Sequence, residues 1–143
     1  MNQPAVFPIA LFGPIAWWVS AVKCENVFLH KQEEFTKQTF RNRIRIVGPN
    51  NEQWLSFPIS RVKGSTFEEV KLVYLEKWPV LHRRSLQAAY GKAPYYEHFS
   101  SFLDEFFTAE NPLLVDKCLS SINWIKDILR LPVNFIDTPP LTY

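Results

Sequence analysis

Polar and apolar side chains alternate most sharply in "FRNRIRI". Phe40, Asn42, Ile44 and Ile46 share one side of an extended chain, and Arg41, Arg43 and Arg45 share the other. The turn formers "GPNNE" follow at 48–52, and the alternation then resumes in "WLSFPIS". Leu55, Phe57 and Ile59 continue the apolar side, while Trp54 and Ser56 continue the polar one, so the pattern predicts a β-hairpin. Pro58 lacks a backbone donor, which puts its strand at an edge or ends it there. Upstream, "AVFPIALF" (5–12) and "NVFLH" (26–30) read as strands. Between them, "GP" turns into a short helix with Ile15, Trp18, Val19 and Val22 on its apolar face. "FEEVKLVYL" (67–75) offers a further strand.

The period then lengthens to that of a helix. Trp78, Leu81, His82, Ser85, Leu86, Ala89 and Tyr90 line one face, with Pro79 in the first turn and Gly91 at the end. Pro94 opens a second helix, with Tyr95, Phe99, Phe102, Leu103 and Phe106 on one side. Asn111 and Pro112 form the start of a third, striped by Leu114, Cys118, Ile122, Ile125 and Leu129. "PVNFIDTPPLTY" is an extended tail. The expected architecture is α+β: a small, mostly antiparallel sheet with a central β-hairpin, followed by three packed helices. With 143 residues and no repeat or linker, 1–143 reads as a single domain.

Composition sharpens this picture in three ways. Hydrophobic residues at 47% and aromatic residues at 15% supply a core and exclude a disordered chain. Residues 1–22 carry no charged side chain, but Pro4, Pro8, Gly13 and Pro14 interrupt the apolar run and no basic segment precedes it. A secretory leader or membrane insertion is therefore not expected, and a cytoplasmic location is. Cys24 and Cys118 lie in no metal-type spacing and read as reduced structural thiols. Nothing in the pattern sets the oligomeric state, and a homo-oligomer stays open.

Charge is placed unevenly. From Lys37 to Lys92 there are 11 basic and 4 acidic residues, against 5 and 10 elsewhere. A basic middle in an acidic frame favours a local anion site over general nucleic-acid binding, so no nucleic-acid partner is expected. Glycine-rich nucleotide loops, nucleophile elbows and zinc-protease motifs are absent from the sequence. His30, His82 and His98 lack ligand spacing, so neither a metal nor a cofactor is expected.

Two side-chain groups invite chemistry. Lys37, Arg41, Arg43 and Arg45 either hold a phosphate or carboxylate, as in an anionic sugar or sugar nucleotide, or form a solvated face whose stems cover Trp54. Asn42 sits on the apolar face, where its amide needs partners. His82, one turn after Trp78 and two before Tyr90, is either a proton donor or acceptor near pH 7 or a core histidine bonded to a carbonyl. Arg83, Arg84, Gln87, Glu97 and His98 read as surface positions.

In order and spacing, "LFGPIAWW", "KQTFRNRIRIVGPNNEQWLSFPIS" and "W…HRRSLQAAYGKAPYYEHF" resemble the WbqC-like protein family over about residues 6–131. The resemblance implies a bacterial protein of surface-polysaccharide (O-antigen or capsule) biosynthesis. It implies a transferase-type enzyme, with acyl or glycyl transfer to amino sugars among the candidates. A non-catalytic partner or scaffold in the same pathway is the alternative, with Phe12, Trp17 and Trp18 as its apolar patch. The resemblance implies Lys37, Gln38, Arg41, Asn42, Arg43, His82 and Tyr90 as recurrent polar positions, and Trp54, Pro58 and Trp78 as structural ones. In the enzyme reading, His82 and Tyr90 are the expected catalytic residues, and Lys37, Arg41, Asn42, Arg43 and Trp78 the expected substrate-binding ones. "LFGP" departs from the aromatic-Phe-Pro-Pro run of many members. The chain also ends at "TPPLTY", where members continue, so a short or C-terminally truncated member is expected.

Overall fold

The computed structural model describes residues 4–35, 39–48, 51–62 and 64–136. Strand β1 (Ala5–Pro8), helix α1 (Ile15–Ala21) and strand β2 (Asn26–His30) form a parallel β–α–β unit. The hairpin β3 (Arg43–Val47) and β4 (Glu52–Ser56) comes next. The two-residue strands β5 (Ile59–Ser60) and β6 (Lys71–Leu72) follow it. Three helices complete the molecule, α2 (Trp78–Tyr90), α3 (Tyr96–Thr108) and α4 (Leu114–Leu129), before β7 (Asn134–Ile136).

The architecture is α+β, and the central hairpin has the expected register: Ile44 faces Leu55 and Arg45 faces Trp54. The sheets are arranged differently from the expectation. The three-stranded sheet, in the order β1-β2-β7, is parallel, while the two-stranded pairs are antiparallel. Its β2–β7 pair joins segments more than 100 residues apart, with Asn26 against Asn134. Such pairing leaves no trace in local periodicity.

Several boundaries move for identifiable reasons. The segment at 67–75 begins as a 3-10 turn (Phe67–Glu69), because Thr66 and Glu69 form a reciprocal capping box. Helix α4 starts at Leu114 rather than at Asn111–Pro112. The preceding residues are held extended: Leu72 N–H donates to the Pro112 carbonyl and Leu114 N–H to the Val70 carbonyl. Helix α1 buries Trp17 and Ala21 instead of Ile15 and Val19, which are exposed. The Trp17 indole N–H reaches the Pro8 carbonyl at 2.8 Å and its ring meets Phe7 edge-on, which fixes the helix rotation. Gly13 lets the neighbouring Trp18 come close. Its φ is +73°, and a Cβ there would meet Trp18 Nε1 at 2.6 Å.

Phe57, Phe67, Leu11, Leu114, Cys118 and Ile122 form the centre of the core. The Cys118 thiol donates to the Arg41 carbonyl at 3.2 Å, and burial pushes its pKa up. Both cysteines are free thiols. Among the described residues, no helix is long and apolar enough to cross a membrane.

Candidate functional site

The sequence stripe of arginines divides three ways. Arg41 lies in the turn before β3 and points inward. Its guanidinium pairs with Glu33 at 2.7 Å, donates to the Glu34 carbonyl at 3.3 Å and sits over the Phe67 ring. Glu33 already supplies Arg41 with a carboxylate. Arg45 faces outward and pairs loosely with Glu52, at 3.5 Å. Arg43 Cζ lies over the Trp54 ring, 4.0 Å from its centroid, and the buried Nε has no hydrogen-bond partner among the described residues. A stacked guanidinium keeps its donors in one fixed plane, the geometry that a phosphate or carboxylate matches. Trp54 stays 43% exposed, so this plate borders solvent. Asn42 is buried; its Nδ2 donates to the Phe57 carbonyl at 3.4 Å, and its Oδ1 finds no partner among the described residues. Lys37 and Gln38 lie outside the described residues.

Helix α2 runs alongside the hairpin and is tied to it at two points. His82 Nε2 lies 2.7 Å from the Ser56 carbonyl, and Ser56 is the ladder partner of Arg43. Val47 N–H donates to the Tyr90 hydroxyl at 3.3 Å. The spacing fits: eight helical residues rise about 12 Å, and the four residues from Arg43 to Val47 advance about 13 Å. A carbonyl can only accept, so Nε2 carries the hydrogen and Nδ1 is the basic nitrogen. Burial lowers the His82 pKa, with the Ser56 bond opposing, so the ring is neutral at pH 7. Trp78 is buried beneath it, donates its indole N–H to the Val73 carbonyl at 2.6 Å, and stacks with Tyr74 and Phe57. His82 and Trp78 pack on Phe57, on the apolar side of the hairpin, and Tyr90 meets the Val47 backbone, while Arg43 leaves the opposite side toward Trp54 and Arg41 is turned away.

Two other readings change. Arg83 is not a solvated surface group: its Nε donates to Asp104 at 2.7 Å, and its terminal nitrogens donate to the Tyr96 hydroxyl and the Ser100 carbonyl. The apolar patch expected of Phe12, Trp17 and Trp18 is folded inward, with Trp17 buried and Phe12 packed on Phe106. Glu97 and His98 are exposed, as expected.

Sequence reasoning passed over a cavity of about 350 Å³ at the carboxyl end of β2. Lys31, Glu68 and Asn123 bring polar groups to it, and Phe28 an apolar wall. The available signal was the polar "HKQ" that ends a buried strand. Its meaning depends on parallel pairing that only the fold reveals. None of the residues predicted as a site lines this cavity.

Comparison with known proteins gives one curated relative, the uncharacterized protein Rv1507c of Mycobacterium tuberculosis, 24% identical over 88 residues. That match covers 60% of this chain and 38% of the relative, so the chain spans well under half of the relative's length. No solved structure matches. The family model described as the WbqC-like protein family matches residues 3–143, nearly the whole chain, and the chain belongs to that family.

Proposed function

We propose that this protein is a transferase-type enzyme of bacterial surface-polysaccharide biosynthesis that holds an anionic sugar or sugar nucleotide against Arg43. The observation that carries the reading is the Arg43 guanidinium, 4.0 Å over the exposed Trp54 ring and paired with no carboxylate among the described residues. Family membership supplies the pathway context. In this reading His82 on α2 is the group suited to acyl or glycyl transfer to a sugar amine. That amine must lose a proton as it attacks, and a neutral imidazole with a basic Nδ1 can take it. Val47 N–H donates to the Tyr90 oxygen, which leaves the Tyr90 hydroxyl hydrogen to donate. Trp78 serves as the buried support beneath His82.

Thermal denaturation with sugar nucleotides, aminoacyl donors and inorganic phosphate tests this reading. A ligand that binds only the native state raises Tm. The expected result is a rise with a sugar nucleotide that disappears in Arg43→Ala and persists in Arg45→Ala. A rise that survives Arg43→Ala, or no rise with any of these ligands, would overturn it.

A further inference from the structure

The cavity at the end of β2 is separate from the hairpin site in its residues and in its chemistry. Parallel strands point their carboxyl ends, and the loops that follow, at a common edge, where crevices for ligands form. Strand β2 provides Phe28 and continues directly into Lys31 and Gln32. Glu68 N–H donates to the Lys31 carbonyl at 3.0 Å, which pins the 3-10 turn to the strand end and carries the Glu68 carboxylate to the cavity. Helix α4 presents Leu119 and Asn123, one turn apart on one face. Strand β7 closes the apolar side with Phe135 and Ile136.

Two features define what fits. At about 350 Å³ the cavity lies near the small end of the range for ligand pockets, about 300–1,000 Å³. Among the described lining residues Lys31 and Glu68 carry opposite formal charges and His30 adds an imidazole, so these residues have no formal bias toward an anion. Donors and acceptors are mixed: an ammonium, a carboxylate, the His30 imidazole and the amides of Gln32 and Asn123. A hydroxyl both donates and accepts, so a ring of hydroxyls satisfies such a set where a phosphate or a hydrocarbon would not. The C–H face of the same ring packs on aromatic and aliphatic walls. We propose that this cavity is a second binding site, for an uncharged polyhydroxylated ring of monosaccharide size. The inference goes beyond the hairpin reading and does not depend on it.

Saturation-transfer NMR and calorimetry with glucose, galactose, mannose and N-acetylglucosamine, each up to about 10 mM, test it. The variants are Asn123→Leu and Glu68→Gln, with Arg43→Ala as control. Asn123 is exposed on α4, and leucine is a good helix former, so the fold is retained; circular dichroism verifies this. At least one sugar is expected to bind, about tenfold or more weakly in each cavity variant and unchanged in Arg43→Ala. Inorganic phosphate is expected not to displace it. The proposal is overturned if no sugar binds, if both cavity variants bind like the wild type, or if phosphate competes. Loss of sugar binding in Arg43→Ala alone would place the sugar at the hairpin, overturning the cavity site while leaving the hairpin reading intact.

Discussion

Replacing Arg83 by alanine measures how α2 is fastened to α3. The side chain is 17% exposed and donates to three acceptors on α3: Asp104, the Tyr96 hydroxyl and the Ser100 carbonyl. Asp104 is 65% exposed, so solvent screens that ion pair and it contributes about 0.5–1 kcal/mol. The bond to the hydroxyl of buried Tyr96 is charge-assisted and worth about 1.5 kcal/mol or more, while the 3.4 Å bond to Ser100 adds little. Tyr96 keeps one partner after truncation, because its hydroxyl donates to Gln87 Oε1 at 3.0 Å, and this limits the penalty. The expected cost of Arg83→Ala is about 2–3 kcal/mol, a fall of about 1 M or more in the urea midpoint. Asp104→Asn is expected to cost about 0.5–1 kcal/mol and to have no effect in the Arg83→Ala background. Arg83→Lys should fall between, since one ammonium cannot span the fork. A loss below about 0.5 kcal/mol for Arg83→Ala would return the residue to the solvated surface and refute the reasoning. So would strict additivity of Arg83→Ala with Tyr96→Phe.

His82 makes stability depend on pH with a definite sign. Its folded pKa lies below the ordinary 6.5, so on acidification the unfolded chain takes up the proton first. The contribution is complete above pH 6.5 and is lost as pH falls through the folded value; urea midpoints at pH 8 and pH 5 should show a smaller drop in His82→Gln than in the wild type. Equal drops would count against a neutral, half-buried imidazole. Lys117 is 1% exposed and donates to the Phe106 and Ala109 carbonyls at the end of α3. Lys117→Met should therefore cost about 1–3 kcal/mol and speed amide exchange in the last turn of α3. Gly13→Ala and Gly64→Ala form a matched pair, since both positions have positive φ but only Gly13 has a neighbour where the methyl would go. Gly64→Ala should cost about 1 kcal/mol and Gly13→Ala distinctly more; equal losses in thermal unfolding would show that the Trp18 approach is not needed.

Local alternation carried what local alternation can carry. The hairpin register and the span of α2 were both legible, because each buries one face against a neighbour close in sequence. So was the buried run Leu114, Cys118 and Ile122 of α4. The rotation of α1 was not, because two tryptophans can face either way until Pro8 offers an acceptor to one of them. The start of α4 was misplaced because a proline at 112 suits a helix and an extended segment equally, and pairing with Val70 and Leu72 decides between them. Arg83 looked polar and therefore exposed. What holds it is a tyrosine and an aspartate on the next helix, at separations of 13 and 21 residues.

The arginines show how far a correct pattern can still mislead about chemistry. Period-2 spacing says that three side chains leave the same side of the chain. It does not say that they end in the same surroundings, because each guanidinium sits at the end of a long stem whose course its neighbours set. Arg41 precedes the strand, where Glu33 captures it, and Arg45 faces Trp54 across the ladder with Glu52 in reach. Arg43 stands between them, opposite a serine, and no carboxylate lies within bonding distance of it among the described residues. On the proposed reading, the anion site that the sequence spreads over a stripe narrows to this one guanidinium, 4.0 Å over the Trp54 ring. The same logic separates the two proposed sites. A ligand at Arg43 would bring the opposite charge, and one at Lys31 and Glu68 would bring groups that donate and accept.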